Sequence, residues 1–511
     1  MHSPEKIRLG KLGDPGPIKP WAKDNVTDQG YTFETYELKF TVPIDYTRPR
    51  SFDANKLSLS FKLITEMRVK GDYTPKTATE IIDGIKDHHL FVFLCGGPGA
   101  NNQPHRIPLL NKHLLQKGYW ILFPDYRGTG DSSTELMDDT SWMMKNIWHF
   151  RQTDIVRDLE SFRRALLGEK RKWTTFGQSY GGWITMSYLS RYPEGLQECF
   201  VTSGMPPIGS TIKEHFSNIY HRIIKKNEDY YTKHHNHKAM VKDVVRHLLE
   251  LETKETTQTL RGDGSDLLTA RRFLAIGRSV WGRKVLQKDL SNLVEELNKE
   301  LMKIKALGDQ TNGHFSDNLL ENFLKLDGFR FGERPLAALL YEAMFVPEQE
   351  NDNTQRASQW TAYDMTLDDA EISKHFGWVG EDAETFAKRL ENDDALYFAG
   401  EMIYPCWFEA YKGLNRYHPD LMEGIQNHVW TEPLYDPERL RHNEVSVTAV
   451  VTSGDVYVDF ELSKKAAEGI KNLKLVTDEN WAKNNQLEHG DLNHQTGKIL
   501  KILFSGEPGM K

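Results

Sequence analysis

A serine between two glycines, Gly177-Gln178-Ser179-Tyr180-Gly181, follows the β-rich run Trp173-Thr174-Thr175-Phe176 and precedes an amphipathic helical pattern that extends through Tyr188. In so sharp a strand-to-helix turn a Cβ at either glycine would collide with neighbouring backbone, and the serine hydroxyl is left exposed on a strained turn. Serine is a weak nucleophile at neutral pH, so it needs a base to take its proton and an acid to orient that base. Asp455 lies behind Gly454 at the end of the strand-like stretch 446–451, and His489 lies beyond the next short strand, 474–476. Asp459 competes with Asp455 for the acid role, and His494 competes with His489 for the base. The apolar run 90–94 ends in Cys95-Gly96-Gly97-Pro98-Gly99, a loop whose backbone can approach a ligand closely. Backbone N–H groups in such a loop can face the negative charge that develops in acyl transfer.

These residues need a scaffold, and the pattern of the chain supplies one. Residues 31–42 and 56–64 alternate with period two and read as an antiparallel opening pair. Residues 90–94, 119–124, 173–176 and 198–203 read as strands, and an amphipathic helix covers 153–167. Strands alternating with helices over 88–205 predict a parallel, doubly wound sheet with its site at the strand carboxyl ends. Asp125 and Arg127, in Asp125-Tyr126-Arg127-Gly128-Thr129-Gly130-Asp131-Ser132, are expected to shape the site from beneath as a structural turn. From 208 to 441 helical periodicities dominate (215–224, 239–253, 267–277, 286–304 and 336–345), which predicts a large helical cap over the site. The expected organisation is an N-terminal arm (1–30), a core (31–207), the helical cap (208–441) and a returning core segment (442–511).

The stretches 177–182 (G-Q-S-Y-G-G), 188–196 (Y-L-S-R-Y-P-E-G-L), 95–99 (C-G-G-P-G) and 125–132 (D-Y-R-G-T-G-D-S) together resemble the prolyl aminopeptidases, or proline iminopeptidases, among the α/β-hydrolases. The likeness is strong over 88–205 and weaker over 398–491. Cys95 stands where that family usually has histidine, and G-D-V-Y-V-D at 454–459 resembles the version found in its longer members, which favours Asp455. The resemblance implies an α/β-hydrolase core with a mostly parallel twisted sheet and a helical cap inserted before the last strands. It implies a metal-free serine aminopeptidase with no cofactor, acting on short peptides with a free N-terminus, most simply those beginning with proline. Ser179, Asp455 and His489 would be catalytic, and the oxyanion would be held by the Gly97 and Tyr180 amides. Recognition of a cationic amine calls for carboxylates in a closed pocket, and Glu401 and Glu342 sit in apolar stretches that resemble such positions. An esterase or amidase acting on neutral acyl groups, and a hydrolase-fold interaction protein without catalysis, are the alternatives.

The chain of 511 residues carries a net charge of -8, with 39% hydrophobic and 27% charged residues. This composition is globular and has no basic footprint for nucleic acid or for anionic membranes. The three cysteines form no CxxC pair, and the first residues lack an apolar signal core, so the expectation is a soluble, cytoplasmic protein.

Overall fold

Ten strands join in one sheet among the described residues of the computed structural model, which are 11–12, 19–20, 31–47, 56–69, 74–260, 266–308, 312–328, 334–346, 356–417, 419–480, 487–490 and 496–505. In chain order they are β1 (Lys11–Leu12), β2 (Lys19–Pro20), β3 (Tyr31–Pro43), β4 (Lys56–Val69), β5 (His89–Leu94), β6 (Tyr119–Pro124), β7 (Trp173–Gln178), β8 (Leu196–Thr202), β9 (Ser446–Val451) and β10 (Leu473–Thr477). Across the sheet they run β1-β3-β4-β6-β5-β7-β8-β9-β10, with β2 also paired to β3. The pairs from β6 through β10 are parallel, and β1, β2, β3 and β4 join antiparallel at one edge.

Residue choice explains which strands lie where. In β5, Leu90, Phe91, Val92, Phe93 and Leu94 are all buried, as a central parallel strand covered on both faces requires. In β3, Tyr36, Leu38, Phe40 and Val42 are buried while Lys39 between them is exposed, the alternation of a strand with one wet face. Of the expected N-terminal arm, β1 and β2 dock on β3, and the remainder lies outside the described residues.

The chain leaves β5 for β6 on one side and places β7 on the other, so the strand order reverses at β5. Loops after β5 and β7 therefore diverge and open a crevice at their carboxyl ends, the place where such sheets bind ligands. The Cys95–Gly99 loop and Ser179 both emerge there.

Between β8 and β9 the chain is mainly helical, including the long helices Ile212–Lys233, His237–Thr253 and Lys284–Leu307. Isolated bridges, Thr259 with Leu267 and Asp266 with Tyr411, are the β-pairing among its described residues. The helix expected over 336–345 is instead two pieces: Pro335–Leu339 and a 3-10 turn, Glu342–Met344. The break turns the Glu342 carboxylate onto the amides of Thr361 and Ala362, at 3.2 and 3.1 Å. Helices Ala78–Asp87, Pro108–Gln116 and Thr496–Ser505 complete the covering of the sheet. No helix among the described residues is long and apolar enough to cross a membrane.

Candidate active site

The turn around Ser179 forms as its residues demand. Ser179 has φ 54° and ψ -124°, in the left-handed region that L-residues avoid. A Cβ on Gly177 would stand 2.3 Å from the Gly181 carbonyl oxygen, and one on Gly181 would stand 2.0 Å from that of Leu94. Gly204, just past β8, is as tight: its Cβ would lie 2.2 Å from the Ser179 carbonyl oxygen. The Ser179 amide donates to Thr202 O at 3.0 Å, and the Gly182 amide donates to Ser179 O at 2.7 Å. Tyr180 opens the helix Tyr180–Arg191, which is buried from Tyr180 to Ser190.

The glycine loop after β5 lies against this turn. A Cβ on Gly96 would come within 3.0 Å of Ser179 Cβ and 3.4 Å of Ser179 Oγ. Several groups hold the loop's frame. Tyr126 Oη donates to Cys95 O at 3.0 Å, and Asn102 Nδ2 donates to Phe93 O at 2.7 Å. The Asn102 amide donates to Asp125 Oδ1 at 2.7 Å, and Lys62, fully buried, is ion-paired with Asp125. Arg127 donates to both oxygens of Asp158, at 2.8 and 2.6 Å, and to the carbonyls of Ile44 and His149. Asp125 and Arg127 are thus bound up in the scaffold. Cys95, in the loop itself, is buried, and burial pushes its thiol up to about 12.

Asp455 and His489 come together. His489 Nδ1 is 2.7 Å from Asp455 Oδ2, while Asp455 Oδ1 accepts from the amides of Tyr457 and Val458 at 2.8 and 3.0 Å. All of this leaves the His489 Nε2 side for another partner. The Tyr457 ring packs edge-on to the imidazole at 4.9 Å between centroids. Asp459 faces elsewhere, accepting from the Leu462 amide at 2.8 Å and from Arg222 Nε at 3.2 Å. His494 lies outside the described residues. Ser179 and His489 share no direct hydrogen bond in this structure. They are linked through Ser203 and Gly204: Ser203 Oγ donates to His489 O at 3.3 Å, and Gly204 abuts Ser179.

Two carboxylates from the helical segment stand without a cation: Glu342 is buried and Glu401 is partly buried. Among the described residues neither Glu401 nor Glu342 has an ion pair, although burying an unpaired charge is costly. Burial, then the charge of Asp455, holds the Glu401 carboxyl well above the usual range, against the Tyr341 hydroxyl at 3.4 Å and Arg278. Burial pushes Glu342 up to about 8, against its hydrogen bonds from Ala362 and Thr361. The electrostatic reach of Glu401 to Asp455 puts it on the site side of the segment, whereas Glu342 is engaged with backbone. Patterning did not single out His215, which is fully buried with neither ring nitrogen bonded and is pushed down to about 4 by burial. Its ring lies 4.7 Å from that of Phe345. Among the described residues no cluster could hold a metal ion.

Residues 89–226 match the family described as alpha/beta hydrolase fold. Over 478 residues, 91% of this chain and 94% of its counterpart, the sequence is 26% identical to a proline iminopeptidase of Aeromonas sobria. It is 24% identical over 483 residues, 92% of this chain and 93% of the other, to a proline iminopeptidase of Aspergillus aculeatus. A shorter match, 31% over 143 residues, covers 27% of this chain and 42% of a proline iminopeptidase of Saccharolobus solfataricus. Over nearly its full length the chain is thus similar to two such enzymes, and its sheet and serine turn are those of the α/β-hydrolase fold.

Proposed function

We propose that this hydrolase is a serine aminopeptidase that releases an N-terminal residue, most simply proline, from short peptides. The observation that carries the reading is two carboxylates without an ion pair among the described residues: Glu342, which is buried, and Glu401, which is partly buried within electrostatic reach of Asp455. A substrate that brings its own ammonium group supplies the missing charge. A neutral acyl substrate does not. The names of the relatives support the same substrate class.

In this reading Ser179 Oγ attacks the carbonyl carbon of the first residue and passes its proton to His489 Nε2. Asp455 accepts from Nδ1 and so fixes the tautomer that leaves Nε2 free to act as base. The oxyanion faces the amides of Gly97 and Tyr180, the latter at a helix N-terminus where negative charge is favoured. The imidazolium then protonates the leaving nitrogen, the C–N bond breaks, and the acyl group remains on Ser179. Water, deprotonated by His489, releases it by the reverse sequence. The helical segment 208–441 acts as the cap: it presents Glu401, with Glu342 behind it, to the substrate amine and excludes water, which strengthens that attraction.

Hydrolysis of a proline anilide with a free amine, beside its N-acylated counterpart, tests the reading in the wild type and in Ser179→Ala. Turnover of the free-amine substrate alone, abolished in Ser179→Ala, is the expected result. Equal turnover of both would replace the aminopeptidase with a general esterase or amidase, and failure of Ser179 to react with an organophosphonate would leave a non-catalytic protein.

A further inference from the structure

The four residues Leu487–Gly490 are gripped from two sides. The sheet side holds them through Leu487, whose amide donates to Asp478 Oδ2 at 2.8 Å and whose carbonyl accepts from the Gly454 amide at 3.0 Å. Asp455 and Ser203 add their contacts to His489 on that side. The helical segment holds Glu488 and Gly490. Glu488, 1% exposed, is ion-paired through Oε1 with Lys226 Nζ at 2.6 Å and also accepts from Gln287 Nε2 at 3.2 Å. Lys226 belongs to the helix Ile212–Lys233 and Gln287 to the helix Lys284–Leu307. The Gly490 amide donates to Gly282 O at 2.8 Å, and the Arg283 side chain packs so closely on Gly490 that a Cβ there would meet it at 2.5 Å.

A carboxylate with almost no exposure, one residue from the imidazole, is an unusual choice for a merely mechanical tie. Backbone bonds such as that of Gly490 would fasten the loop without placing charge there. The charge of Glu488 reaches Tyr457, whose ring packs against His489. With Lys226 in place, the pair is neutral. Without either member, one full charge remains in the seat of His489, held one residue from it where the Glu488 side chain is shut off from water.

We propose that Glu488 is a positioning residue for the reaction: its ion pair with Lys226 fastens the seat of His489 to the helical segment and keeps that seat electrically balanced. The inference rests on His489 as the base that activates Ser179. The other charged or titratable groups that face the seat are Asp455 and Tyr457 beside the ring, Asp478 behind Leu487, Arg283 over Gly490, and Glu401 from the helical segment. His215, Asp459 and Arg222 stand around Asp455 at longer range. None of these changes in the variants below.

The test is the rate of Ser179 phosphonylation by a fluorophosphonate as a function of pH, a reaction that needs the base but not the peptide. With the Lys226 charge removed, the charge of Glu488 favours the imidazolium, so Lys226→Met is expected to move the acid limb of the profile up by about one pH unit. An unpaired Lys226 disfavours the imidazolium, so Glu488→Gln is expected to move the limb down by a similar amount. The double variant, with neither charge, is expected to return to the wild-type limb and keeps the comparison available if one single variant folds poorly. A tie without electrostatic effect would lower rate and melting temperature at every pH and leave all limbs in place, which overturns the inference. Limbs that move in the same direction in both single variants also overturn it. A wild type that does not react at Ser179 overturns the nucleophile and base assignments themselves, and this inference with them.

Discussion

The imidazole of His489 meets Asp455, at 2.7 Å, and not Asp459, although the two aspartates are four positions apart on the same loop. Asp455 is fixed by the amides of Tyr457 and Val458, whereas Asp459 is spent on the first turn of the helix Phe460–Glu468 and on Arg222. Asp455→Asn is expected to lower kcat by roughly 10³–10⁴-fold, because an amide in its place no longer enforces the working tautomer. Asp459→Ala is expected to keep kcat within a few-fold while losing about 1 kcal/mol of stability with its helix cap. Steady-state kinetics and urea unfolding on both variants separate the roles, and the reverse pattern would reassign the acid.

Glu342 makes stability depend on pH in a defined direction. The folded protein keeps a proton on it up to about 8, while the unfolded chain gives that proton up near the ordinary value of 4.5. Between those values the folded state binds more protons, so this residue's contribution to stability is fully present below the lower value and is lost as pH rises through the upper one. Glu342→Gln removes the dependence. Between about pH 5 and pH 8 its melting temperature should fall less than that of the wild type, as the linkage relation requires. Parallel melting curves would contradict it.

Glu401 predicts a proton count. Its carboxyl is held well above the usual range, first by burial and then by Asp455, so an ion pair with a cationic pyrrolidine ligand is expected to draw a proton off it. Calorimetry in two buffers of different ionisation enthalpy, near pH 7, is expected to show release of up to about one proton in the wild type, and markedly less in Glu401→Gln. Equal release from both proteins would remove Glu401 from amine binding.

Beneath the glycine loop, Lys62 and Asp125 form an ion pair whose side chains are both fully buried. Lys62→Met leaves Asp125 without its cation, held by the amides of Asn102 and Asp131, and is expected to cost about 3–5 kcal/mol in urea unfolding. A loss below about 1 kcal/mol, the level of an exposed pair, would show that water reaches the carboxylate.

The parts of the site legible in the sequence are those whose chemistry is local. Gly177 and Gly181 flank Ser179 because the turn leaves no room for a Cβ, and Gly96 follows a strand because its backbone comes close to the serine. The sheet edge made by residues 31–43 and 56–69 was legible for a similar reason, since alternation shows in each strand alone. The ion pairs Lys62 with Asp125 and Lys226 with Glu488 were not, because nothing near Lys62 or Lys226 in the chain announces a distant partner. The helix Ala78–Asp87 did carry a local signal, Thr77 and Glu80 in a reciprocal cap, within a stretch that otherwise reads as mixed polarity. The division of Pro335–Leu339 from Glu342–Met344 is set by the pull of distant amides on Glu342, which no periodicity encodes.

Burial of Cys95 also has a temporal consequence. Its thiol is pushed up to about 12, as are those of Cys199 and Cys406, so at neutral pH the reactive thiolate is almost absent from the native chain at every cysteine. Cys95 and Cys199 are also buried, so their alkylation must await exposure, and two sulfurs in different parts of the fold become clocks for opening. Cys95 times the loosening of the loop against Ser179, and Cys199 the parting of β8 from its neighbours.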